Sequence, residues 1–286
     1  MPRDLTLYKA GNSICSQKVL ITLAEKKLEF ETVDISLFEN EQYSQKYLAI
    51  NPKGVVPALD HAGTVITEST LICEYLDERF GQSQLIPSSA LHRARMRKWS
   101  KIVDEGLFEA TREISFSAMF REKMRSMTEE QRQIRFMNIG DPERRARYVS
   151  TYEMGIESPY VFQAVAIVEK AVNDMEYTLA QGGPWLVGEK MTLADINLMP
   201  FIARLEYLGL LDIWTSRQTH IVDWWTQSKN LTSYHESISS SLSENEIDKM
   251  RLYGQKIRAD IGMLHDSYRA YIQPEPAADT VTKVSG

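Results

Sequence analysis

Three short stretches near the N-terminus carry residues able to do chemistry. Ser13-Ile14-Cys15-Ser16-Gln17-Lys18-Val19 sets a hydroxyl and a thiol close together where a strand gives way to a helix. Such a junction aims free backbone N–H groups and the positive end of the helix dipole at one point, which favours a thiolate or another anion. Asn51-Pro52-Lys53-Gly54-Val55-Val56-Pro57 has a proline opening a strand after a β-branched residue. That is a candidate cis bond, and it would leave the Val56 N–H and C=O free to pair with an extended peptide. Glu68-Ser69 stands at a helix start, where hydroxyl and amide donors can hold a carboxylate and Glu68 can meet an ammonium group. An anion site, a strand-like edge and an amino-acid clamp together describe a short acidic peptide carrying a thiol.

The elements that must position these residues alternate between β-branched runs and helical patterns. Leu5-Thr6-Leu7-Tyr8 reads as a strand, followed by a helix marked by Val19, Leu20, Leu23 and Ala24 at the 3.6-residue period. A second strand is expected over 28–35, and a looser amphipathic helix over 39–48 ending at Asn51-Pro52. Val55–Leu59 and Thr64–Thr67 read as strands around the turn Asp60-His61-Ala62-Gly63, and Leu71, Ile72, Tyr75, Leu76 and Phe80 mark a last helix. The order is βαβαββα. From residue 91 the pattern is helical, with no credible strand. The expected divisions are a first domain over 1–82, a linker over 83–90, an all-helical domain over 91–268 and a flexible tail over 269–286. Thr192-Leu193-Ala194-Asp195 is a capping-box variant that opens a helix buried nearly all round.

Composition narrows the function. The 286 residues hold 33 Lys and Arg against 39 Asp and Glu, a net charge of −6, which argues against a general nucleic-acid binder. No apolar run reaches the length of a membrane span, and the first residues show no export signal, so a soluble cytoplasmic protein is expected. Cys15 and Cys73, the two cysteines, lack metal-ligand spacing, so no metal site is implied and any special role for cysteine is single-residue chemistry.

In this order the three stretches resemble the thioredoxin-like domain of the glutathione S-transferase family, and Thr192-x-x-Asp195 resembles the folding box of that family's all-helical second domain. The resemblance spans residues 5 to 235. It implies an α/β thioredoxin-like N-terminal domain joined to an all-α C-terminal domain. Phe38-Glu39, Asn51-Pro52-Lys53-Gly54, the run Thr67 to Leu76, Arg95-Met96-Arg97-Lys98-Trp99 and Arg144-Arg145-Ala146-Arg147 look like the glutathione-dependent β-aryl etherases of lignin breakdown. Ser13-Ile14-Cys15-Ser16 is instead similar to glutathione-dependent reductive dehalogenases, since the etherases commonly show Asn-Ser where this chain has Cys15-Ser16.

The resemblance implies roles residue by residue. Val56 ahead of Pro57 would bond the cysteinyl backbone of glutathione, Glu68 and Ser69 its γ-glutamyl end, and Lys53 its glycyl carboxylate. Asp104 falls where some relatives reach into a neighbouring subunit's glutathione site. Ser13 matches the serine of theta- and zeta-type enzymes, which donates to the glutathione thiolate. Cys15 matches the cysteine of beta-type enzymes and dehalogenases, which forms mixed disulfides. A free thiol with pKa about 8.5 is lowered by one to several units at such a helix start. The implied activity is attack of the glutathione thiolate, with glutathione as cosubstrate, on a small hydrophobic aromatic electrophile, β-aryl ether cleavage being the most specific form. The alternatives are reductive dehalogenation or thiol exchange through Cys15, or a non-catalytic binding protein of the same fold. A homodimer is implied by the family.

Each special residue also has an ordinary role. Ser13 as helix cap and Ser13 as sulfur donor compete for one hydroxyl on this reading, and Cys15 can be a small packed side chain. Tyr8 and Cys73 read as structural, as do Trp214, Trp224 and Trp225. Phe108, Phe116, Met119 and Phe120 are divided between core and substrate pocket. The Arg-rich stretch 121–147 reads as a solvated helical face with room to cover that pocket.

Overall fold

The computed structural model of the chain describes residues 4–81 and 84–272. Strands β1 (Leu5–Lys9), β2 (Glu31–Asp34), β3 (Ala58–His61) and β4 (Thr64–Thr67) form one mixed sheet in the order β2-β1-β3-β4. β1 is parallel to β2, with Leu7 opposite Thr32, and antiparallel to β3, with Leu7 opposite Leu59. Helix α1 (Ile14–Glu25) is the crossover a parallel pair requires, and α2 (Gln45–Leu48) and α3 (Ser69–Arg79) complete the thioredoxin-like βαβαββα order.

Three boundaries differ from the sequence reading. β2 begins at Glu31, and β3 at Ala58, just beyond the Val56-Pro57 peptide, which is cis. Pro57 has no N–H for a ladder, so pairing starts after it. The helix expected over 39–48 is split into a 3₁₀ turn at Glu41–Tyr43 and α2, because Ser44 takes an extended backbone and its hydroxyl receives the Tyr47 N–H at 3.2 Å. A new cap starts a new helix.

The second half is helical. α4 (Ala90–Ile102), α5 (Phe108–Ser115) and α6 (Arg121–Arg125) follow one another through two π turns, Val103–Leu107 and Phe116–Phe120. Then come α7 (Glu129–Met137), α8 (Pro142–Met154), α9 (Pro159–Ala180), α10 (Leu193–Tyr207), α11 (Asp212–Thr215), α12 (His220–Lys229), α13 (Thr232–Ser237) and α14 (Glu244–Ile272). The tail expected from 269 is helical through Ile272, and its remainder lies outside the described residues, as does Ser83 of the expected linker.

One apolar core runs through both halves, because α1 packs against α3 and also against α10 and α13. Every residue of α10 from Leu193 to Leu205 is buried, as its all-round apolar sequence predicts. Its capping box forms, with the Asp195 carboxylate accepting the Thr192 N–H at 2.9 Å, the Leu186 N–H at 3.0 Å and the Trp224 indole N–H at 3.0 Å. A buried ion pair within the first half holds the start of the connection to the second. Lys26, the C-cap of α1, reaches Asp77 of α3 at 2.8 Å, and the same carboxylate accepts the Leu85 and Ile86 N–H groups.

Candidate active site

Ser13 is the N-cap of α1. Its oxygen accepts the Ser16 N–H at 3.3 Å, which occupies a lone pair and leaves the hydroxyl proton. Capping and donation to a sulfur therefore use different parts of one hydroxyl and do not compete, contrary to the sequence reading. Cys15 follows in the first turn, half-buried. Burial pushes its thiol up, while Lys18 and the Ser69 hydroxyl pull the other way without overcoming it. Cys73 is wholly buried and its thiol is pushed up to about 11, mainly by that burial.

Of the other predicted residues, Val56 lines the same cavity as Ser13 and Cys15, whereas Lys53, Pro57, Glu68, Ser69 and Asp104 lie outside its lining. Val56 is buried, and its backbone groups bond to no described residue; the neighbouring Val55 carbonyl instead accepts Tyr47 Oη at 2.7 Å and Asn51 Nδ2 at 2.8 Å. Glu68 caps α3 with φ of 68°. For a residue other than glycine that backbone costs about 1–3 kcal/mol, a cost typical of ligand clamps. Its carboxylate meets Lys53 Nζ at 2.5 Å, so the two residues read as serving opposite ends of one ligand face each other. Ser69 is buried beside them, and the next hydroxyl, Thr70, accepts from the fully buried Lys18 at 2.7 Å and donates to Asp104 at 2.9 Å. Asp104, in the first π turn, is thus held by its own chain's Thr70 and Lys18.

A cavity of about 190 Å³ opens over the loop, between the two halves. Ser13, Cys15 and Val56 form its floor, and Phe108, Phe116, Phe120, Met124 and Met127 supply an apolar wall. Met119 is buried in the core instead. The stretch 121–147 is the roof rather than only a solvated face. Lys123 lies 3.0 Å over the Phe38 ring, and Arg135 donates to the Leu37 carbonyl and the Asn40 side chain, clamping α6 and α7 onto the loop before α2.

Sequence reasoning missed Arg204. It is buried on α10, lines the cavity and donates to the Asn12 carbonyl at 2.6 Å. Burial lowers its guanidinium to about 10, and no described carboxylate pairs with it. The only signal was an arginine set among Phe201, Ile202, Ala203 and Leu205 in a helix that is otherwise mostly apolar.

Residues 12–79 match the N-terminal domain of glutathione S-transferases and residues 143–231 match their C-terminal domain. The chain belongs to the glutathione S-transferase family. Protein LigF of Sphingobium sp. strain SYK-6 is 38% identical over 200 residues, which is 67% of this chain and 75% of LigF. The crystal structure of the β-etherase LigF from the same organism superimposes with a TM-score of 0.75 at 30% identity, covering 83% of this chain and 99% of that one. Maleylacetoacetate isomerase of Pseudomonas aeruginosa is 30% identical over 214 residues, 73% of this chain and 86% of the isomerase. As a glutathione S-transferase the chain is an enzyme with glutathione as cosubstrate. Among the described residues no helix is long and apolar enough to cross a membrane.

Proposed function

We propose that this glutathione S-transferase holds the glutathione sulfur as a thiolate and directs it at an aromatic electrophile, cleaving a β-aryl ether. The observation that carries this reading is the Ser13 hydroxyl, whose oxygen serves the helix and whose proton remains for a sulfur on the cavity floor. One hydrogen bond to an anion contributes roughly 1.5–3 kcal/mol, enough to lower a thiol by one or two pKa units. Glutathione would lie with its cysteinyl backbone on Val56 and its γ-glutamyl end at Glu68 and Ser69. Lys53 and Glu68 form an exposed pair, and such pairs contribute about 0–1 kcal/mol, so each can exchange the other for the ligand at little cost.

In the reaction the sulfur forms a C–S bond at the carbon bearing the aryloxy group. The C–O bond breaks with its electron pair, and the aryloxide takes a proton from water. The likeness to LigF supports an ether as substrate. Thiol exchange through Cys15 has one observation in its favour, its place on the same floor, but burial favours the protonated, unreactive form. A second copy of the chain would pack on exposed Leu71 of α3 and Leu91 of α4, in the cytoplasm.

Incubation with glutathione and a β-aryl ether tests the reading. The expected products are one phenol and one thioether per ether consumed. No conjugate with the ether or with an aryl halide, together with no heat from millimolar glutathione, would sink it in favour of a binding protein.

A further inference from the structure

The cavity wall carries five cationic side chains, Arg112, Lys123, Arg135, Arg144 and Arg204, and among the described residues no aspartate or glutamate lines it. In a chain of net charge −6 that is a strong local reversal. Three of the five already have work. Arg204 holds the Asn12 carbonyl, Arg135 holds the loop before α2, and Lys123 covers Phe38. Arg112 and Arg144 have capacity to spare. Arg112 gives Nε to Glu109 at 2.6 Å and Nη2 to Glu113 at 3.2 Å, but its Nη1 is buried with no partner among the described residues. Arg144 has no described carboxylate partner, and its Nε is likewise buried and unpartnered.

Between them stands Tyr148 of α8. The Arg112 guanidinium lies 4.0 Å over its ring and the Arg144 guanidinium 5.8 Å from it. Burial would push the Tyr148 phenol up, but the two guanidinium charges outweigh it and bring the phenol below its ordinary value. Ser115, one turn beyond Arg112 on α5 and also on the cavity wall, is 1% exposed with an unpartnered hydroxyl. Two buried guanidinium N–H groups and the Ser115 hydroxyl thus lack acceptors among the described residues, on side chains that line one cavity, and the Tyr148 hydroxyl beside them is hydrogen-bonded to Arg144. A planar carboxylate is the acceptor that guanidinium groups fit best, because it takes several charge-assisted bonds at once.

We propose that Arg112, Arg144, Tyr148 and Ser115 form a subsite for a carboxylate on the aromatic substrate, so that the second substrate is an aromatic acid. The inference rests on the transferase reading above and narrows it. Glu113, beneath the site, fixes Arg112 by accepting from it and from Arg147 at 3.2 Å each. Arg144 also acts electrostatically on the Cys15 thiol, so the subsite and the sulfur floor share one field. A substrate anchored by its carboxylate would span from the subsite to the sulfur through the aromatic wall.

Binding decides this without turnover. Calorimetry with 4-nitrobenzoate and 4-nitrobenzamide, uncharged and nearly isosteric, is run on the full chain with and without glutathione. The acid is expected to bind roughly tenfold or more tightly than the amide, the worth of a charge-assisted hydrogen bond. That preference should vanish in Arg144→Gln and shrink in Tyr148→Phe, with circular dichroism checking that both variants fold. Equal affinity for acid and amide in the unmodified protein overturns the proposal, whatever the variants do. So does a preference that survives both substitutions. If Arg144→Gln instead lowers kcat alike for neutral and acidic substrates while binding shows no preference, the proposal fails and the group serves the departing aryloxide. Glutathione binding in the unmodified protein is read separately, so loss of this inference is distinguishable from loss of the transferase reading.

Discussion

Arg204 Nη2 lies 2.6 Å from the Asn12 carbonyl, which fastens a buried cation of α10 to the loop that caps α1. A charge held there favours an anion on the cavity floor and stiffens the loop that presents Ser13. Arg204→Met is expected to raise the pKa of the bound glutathione thiol by about one unit and to lower kcat at neutral pH about tenfold. Ultraviolet absorbance of the thiolate, titrated with pH, reads the first effect. An unchanged thiol pKa would leave Arg204 with a purely structural role.

Ser13 and Cys15 make separable contributions. Ser13→Ala removes both the acceptor that caps α1 and the donor to sulfur, so stability should fall by about 1 kcal/mol and kcat/KM by about ten- to a hundredfold. Cys15→Ser should keep transferase activity within about twofold, because its thiol is held protonated by burial. Steady-state kinetics on an aryl halide compares them. The reverse pattern would assign the chemistry to Cys15.

How much of this could be read from the chain depends on distance along it. The cis Val56-Pro57 bond, the cap at Ser13 and the Thr192–Asp195 box are each set by residues within one turn of each other, so local chemistry reveals them. The carboxylate subsite joins Arg112 and Ser115 to Arg144 and Tyr148 on a different helix, and only the packing of α5 against α8 unites them. The two π turns are equally hidden, since each turns the helix face without a marker such as proline or glycine pairs. The second of them sets Phe116 and Phe120 on the cavity wall.

Glu113 makes stability depend on pH in a stated direction. Burial raises its carboxyl to about 7, against the pull of Arg112 and Arg147. The folded chain therefore binds this proton more tightly than the unfolded chain, whose ordinary value is 4.5. The contribution is fully present below about pH 4.5 and is lost as the pH rises through about 7. In Glu113→Gln that slope should disappear. Urea midpoints of both proteins at intervals across this window give the difference. A difference that grows toward high pH in favour of the unmodified protein would contradict the sign.

Asp195 is the acceptor on which the start of α10 depends. Its carboxylate takes the backbone N–H groups of Leu186 and Thr192, the Thr192 hydroxyl and the Trp224 indole. Asp195→Ala leaves buried donors without partners, at about 1–3 kcal/mol each, so a loss of about 3 kcal/mol or more is expected in denaturant unfolding. Asp195→Asn keeps the shape but turns an amide toward some of those donors, and should recover only part of the loss.

Two glycines of α14 make opposite predictions from the same substitution. A Cβ on Gly254 would meet the Leu208 carbonyl oxygen at 1.8 Å, and that oxygen is backbone, so α14 itself must move. Moving it strips cover from Met250 and Ile261 and strains the buried His265–Glu169 contact at 2.8 Å. Gly254→Ala should therefore cost about 1–3 kcal/mol or more. A Cβ on Gly262 meets nothing within 4 Å, so Gly262→Ala adds only helix propensity and should stabilise by about 0.5–1 kcal/mol. Thermal melts of the two variants must move in opposite directions from the unmodified protein. If both rise, α14 does not approach α10 as closely as the Gly254–Leu208 contact requires.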